Sequence, residues 1–191
     1  MKLTLLRHGM TEGNLRHLYY GSTDLPLLPE GKEALKELAI HGGYPIAQRY
    51  YTSGYLRTEQ TLHILYGDIA YEILPDLREM DFGEFEMRGY TGDLENDAAF
   101  RDWCSNVEEN ICPNGESSRQ MIERAKKAIA PILAQSEDAV CVIHGGVIAR
   151  LMMAWFPDND GNPYIFTPAP GCGFQVTVEN CVPVSYQSVP Q

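Results

Sequence analysis

Two short apolar runs, Leu3-Thr4-Leu5-Leu6 and Ala139-Val140-Cys141-Val142-Ile143, end alike: Arg7-His8-Gly9 follows the first and His144-Gly145-Gly146 the second. A short continuous run rich in branched residues and stopped by glycine is the pattern of a strand buried on both faces. Such strands belong to parallel sheets covered by helices on both sides, and their ligands collect in the crevice at the carboxyl ends of the strands. If the two runs are central neighbours, both imidazoles converge on that crevice although they lie far apart in the chain.

The pattern around these runs alternates. Strands are expected over 2–6, 48–52, 70–74 and 139–143, and helices over 29–40, 56–66 and 147–155, with a long amphipathic stretch from Ser117 to Ala134. Pro29 falls in a first helical turn, where a missing N–H costs nothing, and Gly42-Gly43 closes that helix. Alternation of this kind implies parallel strands joined by helical crossovers. Two final strands, 174–178 and 183–186, follow a Pro/Gly-rich loop over 157–173 and imply an antiparallel edge hairpin. The expected fold class is therefore α/β, a three-layer αβα sandwich with a mostly parallel central sheet and an antiparallel edge. One domain is expected over 1–191, in which the polar, Gly-punctuated stretch 76–113, with a helix near 93–107, is an excursion over the crevice.

A formal net charge of −11 over 191 residues argues against nucleic acid or an acidic membrane surface as partner, since both require a basic face. A small anion can still bind where the few cations are concentrated, and Arg7 and Arg57 are the expected source. The five cysteines, Cys104, Cys112, Cys141, Cys172 and Cys181, are odd in number and show neither Cys-x-x-Cys spacing nor a nearby His. Free thiols are expected, and no metal site. No run approaches the roughly 18 apolar residues that span a bilayer. Lys2 to Leu6 meets Arg7-His8 too early for a signal peptide, so a cytoplasmic location is expected. Both a monomer and a homodimer are compatible with this reading, the latter if the edge hairpin pairs across chains.

Five segments carry the chemistry. Arg7-His8-Gly9-Met10-Thr11-Glu12-Gly13-Asn14 has the spacing Arg-His-Gly-x-Thr-x-x-Asn. It is followed by Ser53-Gly54-Tyr55-Leu56-Arg57-Thr58-Glu59-Gln60-Thr61, by Leu77-Arg78-Glu79-Met80-Asp81-Phe82-Gly83, by Pro113-Asn114-Gly115-Glu116-Ser117, and by Val142-Ile143-His144-Gly145-Gly146. Taken singly, each reads as an ordinary cap, turn or solvated carboxylate. Taken together and in this order, they resemble the histidine phosphatase superfamily, which includes the cofactor-dependent phosphoglycerate mutases.

The resemblance implies a phosphoglycerate mutase-like fold and transfer of a phosphoryl group through a phosphohistidine. It places His8 as nucleophile, Glu79 as proton donor, and Arg7, Arg57 and His144 around the phosphoryl oxygens, with Asn14, Gly21 and Gly145 as further phosphate contacts. A neutral imidazole attacks phosphorus and leaves again, splitting one displacement into two. Planar guanidinium forks match the charge on the transferring oxygens. Neither a metal nor a cofactor is then required. Glu116 is expected either to orient the substrate or to cap a helix.

The short span between Glu79 and Pro113 favours a phosphatase over a mutase, because a mutase needs extra chain there to close the site to water. The stretch Leu18-Tyr19-Tyr20-Gly21 and the acid segment through Arg88 resemble the α-ribazole phosphatases of cobalamin assembly, which implies α-ribazole 5′-phosphate as a substrate. Phe85 and Met87 depart from the Gly-x-Trp-Glu-Gly of many relatives, and Met10 replaces a polar residue. A phosphoglycerate mutase and a weakly catalytic phospho-ligand binding module remain the alternatives. Tyr19, Tyr20, Phe82, Phe85 and Tyr90 are expected to line the mouth or to pack its loop. His17 is expected at the rim, with His41 and His63 structural.

Overall fold

The computed structural model describes residues 1–157 and 161–190. Within the expected 157–173 loop, residues 158–160 lie outside the described residues, as does the last position of the expected 1–191 domain. In chain order the elements are β1 (Lys2–Arg7), α1 (Glu12–Leu15), β2 (Leu18–Tyr19), α2 (Pro29–His41), β3 (Arg49–Thr52), α3 (Leu56–Tyr66), β4 (Glu72–Ile73) and β5 (Arg88–Gly89). They continue with α4 (Ala98–Ser105), α5 (Ser118–Leu133), β6 (Ala139–Ile143), α6 (Gly145–Trp155), β7 (Gly173–Glu179) and β8 (Val182–Val189).

The main sheet runs β4-β3-β6-β1-β7-β8. Its first four strands are parallel, and β7 lies antiparallel to both β1 and β8. The sandwich and the antiparallel edge hairpin are thus as the sequence implies. The β1–β6 register pairs Arg7 with Ile143, so His8 and His144, the next residue of each strand, leave the sheet side by side.

Alternation along the strands divides the core between the two faces. Leu3, Leu5, Cys141 and Ile143 pack with Met121 and Ile129 of α5 and with Val147, Ile148 and Leu151 of α6. Leu6, Val140 and Val142 point the other way and meet Leu62 of α3, onto which α2 packs in turn. Each such side chain contributes about 1.5–3 kcal/mol on burial. That core fixes the two strand exits on which the histidines stand.

Two expectations change and one element is new. The strand over 70–74 is only Glu72–Ile73, an exposed pair at the sheet edge. The helix near 93–107 begins at Ala98, because the Asp97 side chain accepts the N–H groups of Ala99 and Phe100 as an N-cap and Gly92 before it holds φ at +87°. A second two-stranded sheet, β2 with β5, pairs Leu18 with Gly89 and Tyr19 with Arg88. Among the described residues no helix is long and apolar enough to cross a membrane.

Candidate active site

His8 is buried at the end of β1, and its ring Nδ1 lies 2.7 Å from the carbonyl oxygen of Gly9. A carbonyl only accepts, so Nδ1 carries the proton and donates. The neutral ring therefore keeps its lone pair on Nε2. Burial, then the charges of Arg57 and Arg7, hold the imidazole pKa well below its ordinary value, while the Gly9 contact opposes them. A neutral histidine with one free nitrogen is a nucleophile in the required state.

The cations are held by backbone. Arg57, on the first turn of α3, is fully buried and donates from Nη1 to Thr23 O and from Nη2 to Gly21 O, both at 2.8 Å. Its guanidinium carbon lies 4.5 Å from the Tyr55 ring centroid and 5.1 Å from that of Tyr20, close enough for cation–π attraction. Arg7 donates from Nη1 to Pro168 O at 2.9 Å, while its buried Nε has no partner among the described residues.

Asn14 is oriented by a directional chain. Thr11 Oγ1–H donates to Asn14 Oδ1 at 3.0 Å, and the Thr11 N–H donates to the same oxygen at 3.1 Å. Tyr20 O–H must then donate to Thr11 Oγ1, 2.6 Å away. With Oδ1 engaged on that side, the donor left for a ligand is the Asn14 NH2.

Glu79 sits across the crevice. Its Oε1 accepts the Met80 N–H at 3.0 Å and its Oε2 accepts the Gly146 N–H at 2.9 Å, in the first turn of α6. The paired glycines now have a physical reason. A Cβ on Gly146 would lie 2.6 Å from Glu79 Oε1, and one on Gly145 would lie 3.1 Å from Arg7 Nε. Each missing methyl leaves room for one functional group.

These groups share a cavity of about 360 Å³ whose polar lining includes Arg7, His8, Asn14, Arg57, Glu79 and Gly145. Tyr19, Phe82 and Trp103 form its aromatic wall, their ring centroids 5.4 to 6.1 Å apart in edge-to-face contact. Leu18, Val107 and Met121 extend that apolar lining. Among the described residues no group of three or more His, Cys, Asp or Glu side chains is placed to hold a metal ion.

Three expected contacts are corrected. Gly21 lies outside the cavity lining, its N–H donating to Glu86 Oε1 at 2.7 Å and its carbonyl taken by Arg57. Glu116 is a staple: it accepts the Asp81 N–H at 3.0 Å and pairs with Arg124, which also donates to the carbonyls of Asp76, Arg78 and Glu79. The acid segment is held from behind by this pair, because Glu116 and Arg124 stand eight residues apart across the start of α5. His144 is fully buried behind Arg57 and does not line the cavity. Its Nδ1 accepts Arg57 Nε–H at 3.4 Å, and its Nε2–H donates to Ser53 Oγ at 2.8 Å.

Of the remaining candidates, Phe85 is core, packed on Phe100, and Tyr20 lines the cavity as expected while its hydroxyl bonds Thr11. Tyr90 and His17 line a neighbouring, more open cavity together with Met10, and that cavity also touches Arg7 and Asn14. His41 is exposed beside Glu37, and His63 contacts Gly67 O. The five thiols are unpaired. Arg150, bound to Glu108 at 2.6 Å on the cavity wall, was not singled out from the sequence, nor was Trp103 assigned to the mouth.

With this geometry in place, comparisons with known proteins agree with one another. The model of the histidine phosphatase superfamily (branch 1) matches residues 3–180. An adenosylcobalamin/α-ribazole phosphatase from Salmonella typhimurium is 30% identical over 177 residues, covering 90% of this chain and 88% of the relative. The crystal structure of the α-ribazole phosphatase from Shigella flexneri superposes with a TM-score of 0.88 at 25% identity, over 100% of this chain and 96% of that one. A phosphoglycerate mutase from Thermus thermophilus superposes at 0.74 with 26% identity, over 97% and 98%.

Proposed function

Because this chain belongs to the histidine phosphatase superfamily, we propose that it hydrolyses small phosphomonoesters through a phosphohistidine formed on His8. The observation that carries the reading is the clamped, neutral imidazole of His8 beside the buried Arg57 and the half-buried Arg7. In the first step His8 Nε2 bonds to phosphorus and the ester P–O bond breaks. The Glu79 carboxyl gives its proton to the departing alkoxide. In the second step the Glu79 carboxylate takes a proton from water as that water attacks phosphorus. The P–N bond breaks, and His8 and inorganic phosphate are released.

Arg57, Arg7 and the Asn14 amide face the phosphoryl oxygens in this reading, supplying preset donors where charge concentrates. His144 acts on Arg57, keeping the guanidinium edge in line. The chain is one domain in this reading, with 76–113 bringing Glu79, Phe82 and Trp103 to the cavity. The aromatic wall suits a flat, apolar alcohol. Together with the relatives' names, it supports α-ribazole 5′-phosphate, whose benzimidazole ring has that shape, in a cytoplasmic enzyme.

The test is phosphate release from an aryl phosphate in excess EDTA, with wild-type protein beside His8→Ala. Activity that survives the chelator and disappears in the variant is expected, and α-ribazole 5′-phosphate should then be preferred over the aryl ester. Loss of activity in EDTA would overturn the reading in favour of a metal hydrolase. Transfer to a second hydroxyl in place of water would return the chain to the mutases.

A further inference from the structure

Glu86, absent from every assignment above, collects five donors on one carboxylate. Its Oε1 accepts the N–H groups of Gly21 at 2.7 Å, Ser22 at 3.0 Å and Phe82 at 3.1 Å. Its Oε2 accepts the Thr23 N–H at 3.2 Å and the Thr23 hydroxyl at 2.6 Å. The backbone of 21–23 thus turns its N–H groups to Glu86 while the carbonyls of Gly21 and Thr23 accept the two Nη groups of Arg57. The loop is also wedged from the other side, since a Cβ on Gly21 would lie 1.6 Å from Met80 O.

We propose that Glu86 is a positioning residue for phosphoryl transfer: through the 21–23 backbone it sets the guanidinium of Arg57, and through the Phe82 N–H it ties that setting to the segment bearing Glu79. The inference rests on the phosphatase reading for the roles of Arg57 and Glu79. Spacing between the phosphoryl-binding cation and the proton donor is then governed by a residue that touches neither substrate nor reacting atoms. Only a carboxylate fits. An amide would turn its NH2 either on the three N–H groups now at Oε1 or on the Thr23 pair at Oε2, leaving inward-facing donors without acceptors. Hydrogen bonds in such a series polarise one another, so the Gly21 carbonyl, in one peptide unit with the Ser22 N–H that Glu86 draws on, becomes a stronger acceptor for Arg57.

The experiment is a double-mutant cycle on Glu86→Gln and Arg57→Lys, read as inorganic phosphate affinity by calorimetry and as kcat and KM on an aryl phosphate, with folding followed by circular dichroism. Glu86→Gln is expected to weaken phosphate binding and lower kcat/KM about 10- to 100-fold, the scale of a displacement near 1 Å at the reacting centre. In the Arg57→Lys background, which lacks the fork that meets both carbonyls, the same change should add less than about twofold. Wild-type phosphate affinity in Glu86→Gln, or losses that multiply fully in the double variant, would overturn the inference. Should Glu86→Gln not fold, Thr23→Val removes one of the five donors at nearly constant volume; a loss of about threefold that vanishes beside Arg57→Lys is expected, and an undiminished loss overturns it. Phosphate binding that couples as described in a protein without turnover would reject the phosphatase reading alone.

Discussion

The two strand exits share a motif, a depth and a sheet, yet their histidines are wired in opposite ways. His8 spends its Nδ1 proton on the carbonyl of the next residue, a contact available to a strand end by itself, and so presents Nε2 to the cavity. His144 commits both nitrogens to side chains from β3–α3, to Ser53 and to Arg57, and lies behind the cavity wall. Beyond it the hydrogen bonds run one way. Thr58 donates to Tyr55 O at 2.7 Å, so Ser53 donates to Thr58, 3.3 Å away, and His144 Nε2–H donates to Ser53. In the proposed mechanism, rings 5.3 Å apart thus serve different ends, one attacking and the other holding the arginine that receives the charge. Position in a fold tells where an imidazole stands, and its partners decide which nitrogen is free.

The contrast can be broken most sharply by turnover and phosphoenzyme trapping together. His8→Ala should lower kcat by about 10⁴-fold or more and leave no acid-labile phosphoprotein, the scale expected for loss of a nucleophile. His144→Gln should lower kcat by about 10²- to 10³-fold, comparable to losing one preset donor, while phosphohistidine still accumulates. Equal losses with no phosphoenzyme in either variant would place both rings in the covalent step.

Gly146→Ala sharpens it from the other side of the crevice. The added methyl pushes on Glu79 and leaves both histidines in place, so kcat should fall about 10- to 100-fold with KM little changed. Unchanged kcat would remove Glu79 from the proton-transfer role. Ser53→Ala, which leaves the His144 Nε2–H without an acceptor, should cost about 1–3 kcal/mol in urea unfolding and less than tenfold in kcat.

Acid stability offers a measure in which the two histidines behave alike. Burial lowers both pKa values in the folded state, so below the ordinary value near 6.5 the unfolded chain binds protons that the folded one does not. Stability should therefore fall as pH drops through that window, by up to about 2.7 kcal/mol per pH unit for the pair. The contribution is fully retained above it. His144→Gln should halve the slope in urea titrations between pH 6.5 and 5. A slope unchanged in the variant would mean that ring is not held neutral.

The strands of the core were legible because Leu3-Thr4-Leu5-Leu6 and Ala139-Val140-Cys141-Val142-Ile143 are short apolar runs stopped before glycine, and α2, α3, α5 and α6 because their apolar spacing is long enough to count. Elements whose order comes from elsewhere were not. The β2–β5 pair has two residues per strand, and α4 starts where Asp97 caps it, inside a segment with no clean period. In the site, His8, Arg7, Arg57, Asn14, Glu79 and Gly145 fall on one cavity, as the resemblance to the histidine phosphatases implies. Glu116, Gly21 and His144 did not, since a residue in or beside a motif does not disclose which distant partner it will meet. Nothing in the spacing of Glu86 announces five donors from two segments.

The strand that leads into His8, β1, has β6 and β7 as its two hydrogen-bonded neighbours, with Leu3 paired to Ala139 and to Val176. On the ribosome the strand bearing His8 therefore waits, unpaired, until most of the chain has been made. Closure of such long loops is entropically slow and comes late in folding. A partly synthesised chain exposes β1 as an apolar segment with open edges, the kind that chaperones retain and that aggregates when they do not. Catalytic competence is thus among the last properties the chain acquires.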